Sequence, residues 1–155
     1  MDLSQLQVSI TPHLLSPPDP QLKMDLTVHN HFEHAVTVQI WDSPLDPRCA
    51  LLSVIEILDT AANTLLPLDK VYLGRQMPPP PESFVEIGSH QQATNIVTIP
   101  NVKLDAGKEY RVEAKGRWKA VWDNAIEKID SGMAEHLAGA NAGDFVSNSV
   151  VIRPE

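Results

Sequence analysis

The stretch LKMDLTVHNHFEHAVTVQI, Leu22 to Ile40, decides the fold. Leu22, Met24, Leu26 and Val28 alternate with Lys23, Asp25 and Thr27, and Val36, Val38 and Ile40 alternate with Thr37 and Gln39. Side chains of a strand point to opposite faces in turn, so each run makes one dry face and one wet face. Antiparallel sheets solvated on one side carry this signature. Between the runs lies His29-Asn30-His31-Phe32-Glu33-His34. His29 continues the outward parity of the first run, His34 takes the inward parity of the second, and His31 lies in the connection.

The same period extends outward in both directions. Leu6, Val8 and Ile10 alternate with Gln7 and Ser9. Tyr110, Val112, Ala114 and Trp118 share one parity, and Arg111, Glu113, Lys115 and Arg117 the other. Shorter apolar runs occur at Ser53–Leu58, Phe84–Ile87, Ile96–Ile99 and Val150–Ile152. Turn formers separate them at Ser16–Pro20, Asp42–Pro44, Asp46–Pro47, Ile87–Ser89 and Asp105–Gly107. Seven to nine short strands at this spacing predict an all-β antiparallel β-sandwich, read as one domain over residues 1–155. Ile126, Ile129, Met133 and Leu137 instead recur at helical spacing, predicting a short helical segment near 123–138 capped by Asp123 or Asn124. Such a segment either covers a sheet or acts as a lid.

Composition excludes several functions. The 155 residues are 43% hydrophobic, which suffices for a core without staples. A net charge of −8 argues against nucleic-acid binding and against adsorption to anionic membranes. No stretch reaches the roughly 18 apolar residues of a membrane helix. The first ten residues, MDLSQLQVSI, lack a basic start and an unbroken apolar run, so no secretion leader is expected there. One cysteine, Cys49, allows no internal disulfide. Together these features set the expectation of a cytoplasmic protein.

From Leu22 onward the chain resembles the N-terminal propeptide region of fungal deuterolysin-type and peptidyl-lysine metalloendopeptidases. The matching segments fall in order. LTVHNHFEHAVTVQIWDSPL (26–45) is similar to a strand, an Asn-containing turn, a second strand and a Pro-Leu connection. SVIEILDTAAN (53–63) resembles the next strand and its Asp turn. DKVYLG (69–74) resembles an aromatic strand, and SFVEIGSHQQATNIVTI (83–99) a Phe strand and glycine turn. LDAGKEYRVEAKG (104–116) and FVSNSVVI (145–152) resemble the Gly-x-Tyr strand and the closing Ser-Asn strand. The resemblance implies an immunoglobulin-like sandwich that assists folding of a protease or holds it inactive. The zinc motifs of the catalytic domain have no counterpart here, and the chain ends where that domain would begin. Neither protease activity nor any catalytic residue carries over, and no cofactor is expected.

Several constellations remain as candidates. His29, His31 and His34 could hold a metal only if their nitrogens converged within about 2.0–2.2 Å of one point, and strand parity does not supply that. The spacing of His31-Phe32-Glu33-His34 also departs from His-Glu-x-x-His, so a polar turn is expected. Arg75-Gln76-Met77-Pro78-Pro79-Pro80-Pro81 fits Arg-x-x-Pro-x-x-Pro, with Arg75, Pro78 and Pro81 as the residues an SH3-type groove would read, or else forms a stiff spacer. Arg111, Lys115 and Arg117, with Lys119, make a basic strand face suited to an acidic ligand or to cross-strand pairing. Trp118 and Trp122 could line a pocket or anchor the helical segment. Cys49 has no base beside it in sequence.

The sequence therefore predicts a non-catalytic binding domain, a stand-alone relative of a protease propeptide. Its partner would be a protein or a small apolar or acidic ligand. The alternative is an intracellular enzyme acting on a small molecule between the sandwich and the helical segment.

Overall fold

The alternating runs become strands with the expected faces. The structure, a computed structural model, describes residues 1–13 and 21–154, and the Ser16–Pro20 turn signal falls outside them. Ten strands occur among the described residues: β1 (Leu6–Pro12), β2 (Leu22–Asn30), β3 (Val36–Gln39), β4 (Ile55–Asp59), β5 (Thr64–Leu65), β6 (Phe84–Ile87), β7 (Gln92–Ile99), β8 (Tyr110–Trp122), β9 (Asn141–Val146) and β10 (Val150–Ile152). β1, β2 and β7 form one antiparallel sheet. The second sheet runs β5-β4-β8-β3-β6, with β9 and β10 also on β8. The dry faces of both sheets meet in one core that includes Leu26, Val28, Val38, Ile57, Val112 and Trp118.

β8 organises the second sheet because it is long enough to be shared. Its first half pairs β4 on one side and β10 on the other. Its second half pairs β3 and β9. The register with β9 shifts between Trp118 and Val121, a bulge that places an extra residue in the strand. Trp118 and Val121 both enter the main core, whereas Ala120 and Trp122 join Phe84 in a second cluster.

That second cluster explains the helical segment, with changes to its expected course. The chain makes a 3-10 turn at Ile126–Lys128 and then α1 (Ser131–His136). The cap is Asp130, whose carboxylate accepts the Met133 N–H at 2.8 Å, rather than Asp123 or Asn124. Ile129, Met133 and Leu137 pack on the Phe84–Trp122 cluster, while Ile126 stays exposed. Leu137 turns left-handed at φ 54° and ends the helix. From Asn141 the chain is strand, not helix.

Two of the expected strands differ. The closing FVSNSVVI run breaks at Ser147–Ser149. The Ser147 N–H donates to the Ala114 carbonyl, and the Ala114 N–H donates to the Ser147 hydroxyl, both at 2.8 Å. Asn148 then reaches the other sheet: its side-chain oxygen accepts the Ile10 N–H at 2.9 Å and its amide donates to the Ile10 carbonyl at 3.3 Å. The Asp69–Gly74 run, expected as an aromatic strand, forms no ladder. Pro67 before it and four prolines at 78–81 after it lack backbone donors, which disfavours a paired strand.

Candidate functional site

The histidine-rich turn is organised by its asparagine. Asn30 is fully buried at the end of β2. Its amide donates to the carbonyls of His34, Ile87 and Gly88 at 3.0–3.1 Å, and its oxygen accepts the Phe32 N–H at 2.8 Å. One side chain thus ties the turn to both sheets. The histidines do not converge on one point: His29 and His31 stack face to face at 4.3 Å, and His31 meets Gln7 at 2.7 Å. His34 pairs with Asp123. Among the described residues no three His, Cys, Asp or Glu side chains converge as metal ligands.

The basic strand face is exposed and largely neutralised by neighbours. Lys115 lies 3.1 Å from Glu56, Arg117 3.6 Å from Asp144 and Lys119 3.1 Å from Asp42. The Glu56 carboxylate, by hydrogen bond and then by charge, raises the Lys115 pKa. Arg111 lines a small hollow of about 180 Å³ with Glu56, Glu113 and Leu65.

The two tryptophans separate at the bulge. Trp118 is 0% exposed in the main core, 5.0 Å from the Phe145 ring. Trp122 is 1% exposed beneath the helical segment, and its indole N–H donates to the Ala138 carbonyl at 2.9 Å. The space between sheet and helical segment is filled by Trp122, Phe84, Met133 and Leu137.

Arg75 is engaged within the fold. It donates to Asp46 at 2.8 Å and Asp42 at 3.2 Å, and its guanidinium lies 4.9 Å over Trp41. Asp46 is buried and also accepts the N–H groups of Asp42 and Arg48. This clamp holds the 66–80 run against the β3–β4 connection. Pro78 is exposed, and Pro81 begins a 3-10 turn ending at Ser83. Cys49 is buried, and desolvation, followed by the Asp46 charge, pushes its thiol up to about 12. It is held as a neutral thiol, not a nucleophile.

A feature that sequence reasoning missed lies where the second sheet ends. β5 pairs only the last two residues of β4, and the chain then departs through Leu66–Lys70. This opens a groove of about 370 Å³, with Ile55, Ile57, Leu66 and Leu68 on its walls and Asp69 and Lys70 among its polar lining. Leu65 and Val71 are exposed, and Tyr72, which follows them, is 97% exposed. Exposed large apolar side chains beside a groove are a recurrent feature of contact sites. The available signal was Leu65-Leu66-Pro67-Leu68, an apolar run that its proline bars from a regular ladder.

A family model for an immunoglobulin-like domain matches residues 5–154. An uncharacterized secreted protein of Arthroderma benhamiae is 35% identical over 134 residues, covering 84% of this chain and 68% of that protein. The secreted relative overturns the cytoplasmic expectation. That expectation rested on the lack of a recognisable leader in the first ten residues, together with a lone cysteine, which can form no internal disulfide in any compartment and so does not discriminate between them. Neither comparison links the chain to the deuterolysin propeptide. The family model spans nearly the whole sandwich, and the antiparallel architecture agrees with it: the chain belongs to the immunoglobulin-like domain family.

Proposed function

We propose that the chain is one non-catalytic binding domain that works outside the cell and engages a protein partner through the groove side of its second sheet. On this reading it is a relative of the metalloprotease propeptides, inhibiting a protease or assisting its folding. The observation that carries the reading is Tyr72, 97% exposed and close in sequence to the residues lining the groove. An aromatic ring with a polar tip is a common anchor at protein interfaces. The buried neutral thiol of Cys49 and the filled space over Trp122 favour binding over chemistry at those positions.

The test uses the mature catalytic domain of a deuterolysin-type endopeptidase as probe. The protein slows its cleavage of a protein substrate, and Tyr72→Ala weakens the inhibition about tenfold, or ~1.4 kcal/mol, with the thermal midpoint unchanged. Absence of both binding and inhibition would overturn the protease reading.

A further inference from the structure

After β5 the chain leaves the second sheet and crosses the surface before rejoining it at β6. Residues 66–76 contain no helix, turn or bend, and none of them has a left-handed φ, so the run is extended. Ties on both sides hold it to the body. The Leu66 N–H donates to the Ile57 carbonyl at 2.8 Å, and the Val71 N–H to the Leu51 carbonyl at 2.9 Å. The Asn101 amide donates to the Asp69 carboxylate at 2.7 Å. Arg75 is gripped by Asp46 and Asp42 and lies over Trp41. Between the anchors at Val71 and Arg75 stand Tyr72, Leu73 and Gly74. Among the described residues no hydrogen bond engages their backbone groups. Tyr72 is 97% exposed. Gly74, which is all backbone, is exposed as well, and no atom beyond its chain neighbours lies within 4 Å of the place a Cβ would take. The main chain here stands in solvent, held at both ends.

Deepening the inhibitor reading above, on which it rests, we propose that residues 71–75 are a substrate-like segment that enters the cleft of an endopeptidase, with the Tyr72 ring in the specificity pocket and the Tyr72–Leu73 bond at the reacting centre. An endopeptidase takes an extended main chain and reads a side chain beside the bond it attacks. The segment offers open backbone groups and an aromatic ring with a polar tip. The ties at Val71 and Arg75 fix its ends beforehand, so less freedom is lost on entry. They also make it a poor substrate. In hydrolysis one water adds across the bond: the Tyr72 carbonyl carbon takes the oxygen and becomes a carboxylate, and Leu73 leaves as an amine. Strands β1 to β5 precede this bond and β6 to β10 follow it, and the pairs β2–β7, β3–β6, β3–β8 and β4–β8 bridge it. The two pieces therefore stay assembled, with Arg75 on one still bound to Asp46 on the other. The new amine stays beside the new carboxyl group, and re-forming the bond with loss of that water competes with release.

The probe is chymotrypsin, whose pocket reads an apolar ring on the carbonyl side of the bond it cuts. The intact protein inhibits its hydrolysis of a small chromogenic peptide competitively. Mass spectrometry finds one cut, at Tyr72–Leu73, made at least about a hundredfold more slowly than in a free peptide of residues 69–76. The nicked protein elutes as one species and still inhibits. Tyr72→Ala abolishes inhibition and Tyr72→Phe retains it. Arg75→Ala loosens one end and speeds the cut about tenfold. That change also leaves the buried Asp46 without its cation, so Asn101→Gly, which frees only Asp69, is the second variant: it speeds the cut too, with the thermal midpoint unchanged. A cut as fast as in the free peptide would overturn the proposal. So would a first cut elsewhere, no inhibition, or inhibition that excess small substrate does not relieve. A deuterolysin-type enzyme that is inhibited while chymotrypsin is neither blocked nor cuts at Tyr72 sinks the substrate-like segment alone. Chymotrypsin blocked as described, with the deuterolysin-type enzyme untouched, sinks the metalloprotease part of the reading alone.

Discussion

The turn after β2 and the outer edge of β4 face the same difficulty and resolve it oppositely. In each, backbone groups leave a ladder close to the core. At the turn a single buried asparagine satisfies three carbonyls and one N–H. At β4 the N–H and carbonyl of Ile55 and the N–H of Ile57 meet no ladder partner among the described residues, and both residues are buried. Unmet polar groups cost free energy when dry and little when wet. The turn is closed by a polar side chain, whereas the end of β4 lies beneath apolar packing, with Leu66 and Leu68 set against the core beside it. A cluster of chemically suggestive side chains marks the first place, and a gap in the pairing marks the second.

This contrast breaks if the turn proves dispensable. Asn30→Ala takes the amide donor from the carbonyls of His34, Ile87 and Gly88 and leaves the Phe32 N–H without its acceptor, and a loss of about 3 kcal/mol is expected in urea unfolding. A loss below about 1 kcal/mol would place the organising role elsewhere. A smaller effect sharpens the comparison between edges. Asn148→Ala opens the β1 edge by freeing both groups of Ile10, at an expected cost of about 1 kcal/mol and with faster exchange of the Ile10 amide. If exchange there does not change, Asn148 does not close that edge. The smallest effect belongs to the histidines. Replacing His29, His31 and His34 together with serine is expected to change stability by less than about 1 kcal/mol, because their partners are surface groups. A large loss reversed by added zinc would make the turn a metal site.

Period-two patterning made the sandwich legible because most strands bury one face against a common core. The reading failed where pairing, rather than pattern, decides the outcome. By parity Trp122 belongs on the same face as Trp118, and the bulge between them turns it to the other side. No local residue type announces that shift, since it is set by the register of β9. Ser147-Asn148-Ser149 reads as strand in sequence, yet its side chains replace ladder partners and reach across to β1. Of the candidate sites, Arg75 was visible as a cation before prolines, but Asp46 and Trp41, which claim it, lie about thirty residues earlier in the chain. Tyr72 stood within a segment expected as strand. Its exposure follows from what fails to pack over it, which no single-chain pattern encodes.

The shared strand β8 also fixes when the protein can be completed. β3 and β4 are synthesised early, yet each needs a neighbour whose residues begin only at Tyr110. Until translation passes Trp122, the second sheet has only two separate strand pairs, β3 with β6 and β4 with β5, that cannot be zipped together. Such long-range closure slows folding and prolongs exposure of apolar strands to neighbouring chains. The last third of the polypeptide therefore acts as the clasp that turns separate ribbons into a sheet.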